Sequence, residues 1–170
     1  MQATKFLHCV NYPRNSRRLV IKQVRWERPG EGWLKLNMDG AVNDTLNSAG
    51  AGGVLRDDKG NRVMNLNAFI IELDAKALVD ALNNPSYANS VMFPLVDDCR
   101  HLASKIPRLC IRHIYPEANK CADRLAKLGL QQSLDFVIHS SLPVDIIASF
   151  EADCQGMFVN RLCPDSCISV

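Results

Sequence analysis

The sequence predicts a mixed α/β protein in which helices pack on a sheet. Three observations predict it. Residues 34–41 alternate Leu34, Leu36 and Met38 with Lys35, Asn37 and Asp39, the period of a half-buried strand. The turn Asp57-Asp58-Lys59-Gly60 joins two β-prone runs and makes an antiparallel meander. Beyond it, three stretches with apolar stripes at helical spacing are interrupted by one short strand.

The elements follow in order. Residues 1–28 carry Lys5, Arg14, Arg17, Arg18, Lys22, Arg25 and Arg28 against one acid, Glu27, and read as a flexible basic arm. Arg-Pro-Gly-Glu-Gly at 28–32 is a loop. A strand runs from Trp33 to Ala41, ends in Asp39 and Gly40, and passes into a polar turn at 41–48. A second strand spans 49–57, and a third β-prone run, 61–73, is long for a strand at about thirteen residues against a usual five or six. Residues 74–84 form a helix with Ala75, Leu78, Val79 and Leu82 on one stripe, stopped at Asn84-Pro85. Residues 93–105 form a second, with Pro94 in its first turn and Leu95, Val96, Cys99, Leu102 and Ala103 as its stripe. A strand at 108–115 precedes a third helix at 119–132, which Asn119 is suited to cap. Ala122, Leu125, Ala126 and Leu128 face its interior. The remainder, 133–170, offers one strand-like piece at 135–141 and otherwise irregular sequence. The organisation is thus an arm (1–28), a domain (29–132) and a C-terminal tail (133–170).

Composition narrows the function classes. The chain has 170 residues, 47% of them hydrophobic, which excludes a disordered protein and suits one domain with a real core. The net charge of +2 is too balanced to argue for nucleic acid by itself. No apolar run approaches the ~18 residues of a membrane span, and the N-terminus lacks a secretory core. Its single serine and lack of amphipathic pattern favour a basic arm over an organelle transit peptide. The expectation is an intracellular, soluble protein without a membrane partner. Seven cysteines, an odd number with no C-x-x-C pair, read as reduced thiols. Cys163 and Cys167 lack a second ligand pair for zinc.

Three acids stand at element ends. Asp39 closes the first strand, Asp74 sits where a strand becomes a helix, and Asp123 lies one turn after Asn119 on the same helix face. Singly, each is explained by solvation or by the helix dipole. Together they are hard oxygen donors of the kind magnesium takes. Two such ions about 4 Å apart activate water and stabilise the leaving oxygen of a phosphodiester. Spacing alone does not establish that the three converge.

The stretches "WERPGEGWLKLNMDGA", "AGGVLRDDKGN", "IELDAKALVDAL" and "IRHIYPEANKCADRLAKLG" follow one another in an order that resembles the plant ribonuclease H-like family, the reverse-transcriptase-like domains, over about residues 24–130. The tail "SLPVDIIASFEADCQGMFVNRLCP" resembles the usual ending of such proteins. The resemblance implies a sheet of three antiparallel and two parallel strands flanked by helices. It implies a hydrolase, an endonuclease cutting RNA in RNA–DNA hybrids with two magnesium ions, or manganese in their place. It makes Asp39, Asp74 and Asp123 the catalytic metal ligands, and Gly40, Gly50, Gly52, Gly53 and Asn119 nucleic-acid contacts. The glycines would let the hybrid backbone approach, with RNA told from DNA by its 2′-hydroxyls. The partner implied is nucleic acid, and the chain is expected to be a monomer.

The pattern departs from the family between the third and fourth strands. There the family places a helix that starts with the remaining catalytic glutamate. Here Phe69 runs straight into Ile-Ile-Glu-Leu-Asp, roughly thirty residues are missing, and no glutamate matches that motif. If 61–73 stays at the sheet edge, Asp74 lies about two strand spacings, near 10 Å, from the first strand. If it crosses over, the acids approach but the edge strand is lost and the apolar face is under-covered. Glu72 is a candidate makeshift ligand, or else faces solvent or pairs with a lysine. Pro116 stands where the family has an arginine, and His113 is a candidate for product release. Two functional expectations follow: a hybrid-specific ribonuclease, or an inactive nucleic-acid-binding module or truncated product.

Overall fold

The computed structural model describes residues 18–59, 68–86, 93–133 and 136–164. In chain order the strands and helices are β1 (Leu19–Val24), β2 (Leu34–Asn43), β3 (Ser48–Arg56), β4 (Phe69–Leu73), α1 (Lys76–Asn83), α2 (Phe93–Ala103), β5 (Leu109–His113), α3 (Lys120–Gly129), α4 (Val144–Cys154) and β6 (Val159–Pro164). A single 3-10 turn, Pro116–Ala118, leads into α3. The main sheet has the order β3-β2-β4-β5, and β1 pairs with β6 in a separate two-stranded ribbon. The predicted mixed α/β architecture is therefore present.

β2 and β3 make the antiparallel hairpin, with Asp39 opposite Gly52 and Lys35 opposite Arg56. Its turn is closed by Asn47 at φ 46°, a conformation asparagine tolerates better than most residues. β4 then lies parallel to β2, with Asn37 beside Glu72, and parallel to β5, with Glu72 beside Arg112. The C-terminal part of the 61–73 run has thus crossed over to the sheet centre, and residues 61–67 fall outside the described ones.

Directly paired residues share a sheet face, so one face carries Lys35, Asn37, Asp39, Arg56, Glu72 and Arg112. This polar face is the better buried one: Lys35 and Asn37 are 0% exposed, whereas Met38 and Val42 on the apolar face are 36% and 72% exposed. The period-two pattern located the two faces and implied the opposite burial. The reason is a closed polar network. Lys35 Nζ lies 2.8 Å from Glu72 Oε1 and donates to the Glu27 carbonyl at 2.6 Å. Asn37 Nδ2 donates to Glu72 Oε2 at 2.8 Å, and Arg112 reaches Glu72 Oε1 at 2.7 Å. Asn37 Oδ1 accepts from Trp26 Nε1 and from Arg56, each at 2.9 Å. Arg56 in turn stacks 3.8 Å from the Trp26 ring and pairs with Asp153 of α4 at 2.8 Å. Burial of the Lys35 ammonium pulls its pKa below the ordinary lysine value, against the pull of Glu72.

Other expectations give way here. Residues 19–24 of the basic arm form β1, and Trp26 behind it is buried, so this part is not a free arm. The tail holds α4 and β6 rather than irregular chain, while its described residues 136–139 are not a strand. The stripe of α2 buries only Val96, with Leu95 and Leu102 64% and 60% exposed. Among the described residues α1 packs on β4 and β5, and Met38 and Val42 on the β2 side of the apolar face stay exposed.

Removing one member of a buried ion cluster strands its partners' charges. Glu72→Gln is expected to cost about 3–5 kcal/mol. Asp80→Asn, which breaks an exposed helix pair, costs about 0.5 kcal/mol or less. Urea unfolding of the two variants separates these outcomes.

Candidate functional site

The site forms where β2, β4 and α3 meet. Asp39 stands on β2 beside Gly52, and its Oδ1 accepts from the Gly40 N–H at 2.8 Å. Asp74 follows the last β4 residue, Leu73, which is in register with Met38, so the parallel pairing carries Asp74 to the side of Asp39. The crossover therefore removes the 10 Å gap that an edge position imposes. Asp123 is in the first turn of α3, which packs on β2 and β3.

The electrostatics show how close the three acids are. The Asp39 carboxyl is held above the ordinary carboxylate range, first by burial. The charges of Asp74 and Asp123 and a hydrogen bond with Asp74 push the same way, and the Gly40 N–H opposes them. Asp123 also pairs with Lys127, its Oδ2 accepting from Lys127 Nζ at 2.7 Å one turn along the helix.

Asn119 occupies the N-cap position of α3 but makes no side-chain cap hydrogen bond. The expected capping role is replaced by a tie to the sheet: its Nδ2 donates to the Met38 carbonyl at 3.0 Å. Its Oδ1 is buried and has no side-chain or backbone donor among the described residues.

Two of the glycines have a packing role. A Cβ at Gly52 would lie 2.2 Å from the Ala126 nitrogen, and one at Gly50 would lie 2.5 Å from the Ala126 carbonyl oxygen. These glycines let α3 lie against the sheet, so that space is closed to a nucleic-acid backbone. Gly40 and Gly53 face the other way. A Cβ added there would meet its nearest neighbours at 3.9 and 3.4 Å, ordinary van der Waals contacts.

Glu72 is not a fourth ligand. It is 3% exposed and held by Lys35, Asn37 and Arg112, the lysine pairing that was its alternative reading. Sequence reasoning missed the rest of this cluster, because Arg56, Asp153 and Trp26 carry no motif. His113 packs edge-on against Tyr115 at 5.4 Å, and Pro116 opens the 3-10 turn.

A two-ion magnesium centre does not fit these donors as they are placed. Asp39 and Asp74 stand side by side, and Asp123 adds its charge to theirs. Asp123 is also engaged by Lys127 in an exposed pair one turn along the helix. Among the described residues no group of three or more His, Cys, Asp and Glu side chains is disposed to hold a metal ion.

Comparisons with known proteins agree with the topology. Residues 64–129 match the family model described as reverse transcriptase-like, a span that includes Asp74, Asn119 and Asp123. Solved ribonuclease H domains share the architecture. RNase H1 from Halobacterium salinarum superposes with a TM-score of 0.53 at 17% identity, over 59% of this chain and 98% of that one. The N-terminal RNase H domain of rv2228c from Mycobacterium tuberculosis gives 0.51 at 16%, over 58% and 94%. The fold is ribonuclease H-like. At1g65750 of Arabidopsis thaliana, a protein named for ribonuclease H, is 26% identical over 166 residues, 81% of this chain. The chain spans 27% of that relative's length. These matches support a ribonuclease H-like domain of the reverse-transcriptase-associated kind. Among the described residues no helix is long and apolar enough to cross a membrane.

The raised Asp39 pKa sets a pH dependence. The folded protein holds this proton more tightly than the unfolded chain, so the stability associated with it is present at acid pH and falls as pH rises through the folded pKa. Asp39→Asn is expected to raise the melting temperature at pH 7. The gain disappears near pH 3, where the wild-type carboxyl is protonated in both states. Thermal scans of both proteins at the two pH values check the sign.

Proposed function

We propose that this chain is a nucleic-acid-binding module on a ribonuclease H-like fold, without the hydrolytic chemistry of the active enzymes. The observation that carries this reading is the fate of the acids. Glu72 is consumed by a buried ion cluster, and among the described residues no group of three or more acid, His or Cys side chains is disposed to hold a metal ion. Two metal ions flanking a phosphodiester call for several carboxylates held together, and no glutamate of the chain supplies the missing one.

Binding is supported by the reverse-transcriptase-like family match and by the likeness to a relative named for ribonuclease H. RNA–DNA hybrid is the favoured ligand, in keeping with the relative named for ribonuclease H. The convergence of Asp39, Asp74 and Asp123 keeps the second reading, a magnesium-dependent hybrid endoribonuclease, in play as the alternative outcome of one experiment.

That experiment incubates purified protein with a labelled RNA–DNA hybrid, with and without magnesium. The module is expected to retard the hybrid in both conditions, with affinity falling linearly in log salt. It is expected to leave the RNA strand intact. Magnesium-dependent cutting that disappears in Asp39→Asn would establish the ribonuclease instead. Failure to bind any nucleic acid would refute both readings.

A further inference from the structure

The β1–β6 ribbon carries a feature that folding does not require. In its register Lys22 stands opposite Arg161. Two like charges directly opposite each other on neighbouring strands repel, and such pairs destabilise a ribbon. Both cations are held by one aromatic ring: Lys22 Nζ lies 5.0 Å and the Arg161 guanidinium 4.7 Å from the centre of Tyr115. Just beyond the strand end, Arg25 stacks 4.6 Å from the ring of Phe158, which is 53% exposed. Arg161 has an acid partner, Glu117 at 2.7 Å. Among the described residues no acid pairs with Lys22 or Arg25, and both are exposed. The result is three ring-supported cations, two of them, Lys22 and Arg25, exposed and without an acid partner, and the third, Arg161, half-buried on Glu117.

Lys22 and Arg161 are anchored at the edge of the carboxylate site. Tyr115 follows Ile114, whose N–H donates to the Leu73 carbonyl at 2.9 Å, the residue before Asp74. Four residues after Tyr115 comes Asn119, and the turn between them carries Glu117, the partner of Arg161. The ring that holds Lys22 and Arg161 thus sits on the chain segment that joins the end of β4 to Asn119.

We infer that the β1–β6 ribbon is a second nucleic-acid contact, in which the unpaired cations Lys22 and Arg25 hold phosphates of a strand bound at the Asp39–Asp74 site. The inference rests on the nucleic-acid-binding reading above. Regularly spaced phosphates are the anion that relieves this repulsion, and cations fixed on rings lose little freedom when they bind. Phosphate contacts position the ligand without reading its sequence, so the contribution is the same for any base order.

The test is the salt dependence of binding to a labelled RNA–DNA hybrid. It compares wild type, Lys22→Gln with Arg25→Gln, and a charge-matched control, Lys59→Gln with Lys105→Gln. The control residues are exposed and flank the strand ends opposite the acids. The ribbon pair is expected to lower the log–log salt slope by about two and to weaken binding at least about tenfold at 0.1 M salt, with the control near wild type. Equal losses in both pairs would reduce the effect to net charge and overturn the inference. Wild-type binding that the ribbon pair leaves unchanged would overturn it while the functional reading stands. No binding by wild type would overturn both. A melting temperature measured on each variant confirms that all are folded.

Discussion

The burial of Glu72 organises this molecule. A carboxylate at 3% exposure in the middle of a sheet is tolerated only with its charge and its lone pairs satisfied. Lys35, Asn37 and Arg112 satisfy them from the two neighbouring strands. Each then imposes a further demand. Asn37 needs donors for its oxygen and takes them from Trp26 and Arg56. Arg56 needs an acid and finds Asp153 on α4. The chain before β2 and the helix of the C-terminal tail are thereby tied to the sheet centre through one polar cluster. Parallel pairing of β4 with β2 is what brings these groups into register.

The same constraint shapes the site. Crossing β4 to the centre places Asp74 beside Asp39, where an edge position would have kept them apart. It also commits Glu72, the nearest other acid of the sheet, to the interior. The apolar face stays exposed at Met38 and Val42. α3 is held close over the polar face by Gly50 and Gly52, and its Asp123, whose charge reaches Asp39, also pairs with Lys127. The site keeps the electrostatic signature of a carboxylate cluster, with Asp39 biased toward its protonated form, but among the described residues no group of three or more acid, His or Cys side chains is disposed to hold a metal ion.

Much of the main sheet and its three following helices is legible in the sequence, because period-two and helical stripes are local signals. Asp39, Asp74 and Asp123 are legible as element-end acids for the same reason. Which face of β2 is buried is not. Alternation names two faces, and the choice depends on Glu72, Arg56 and Asp153, which lie 35, 19 and 116 positions from Asn37. The β1–β6 ribbon is illegible for a related reason: its strands pair across most of the chain, Leu19 with Pro164. Gly50 and Gly52 read equally as room for a ligand or for a helix, and only the packing of α3 decides.

The most direct test of the account is a manganese titration followed by electron paramagnetic resonance, on the free protein and on its complex with hybrid. The account predicts no saturable pair of manganese sites in either state, because no group of three or more acid, His or Cys side chains among the described residues is disposed to hold a metal ion. Two coupled ions that appear with hybrid and vanish in Asp39→Asn would contradict it and show that the acids rearrange into a working centre.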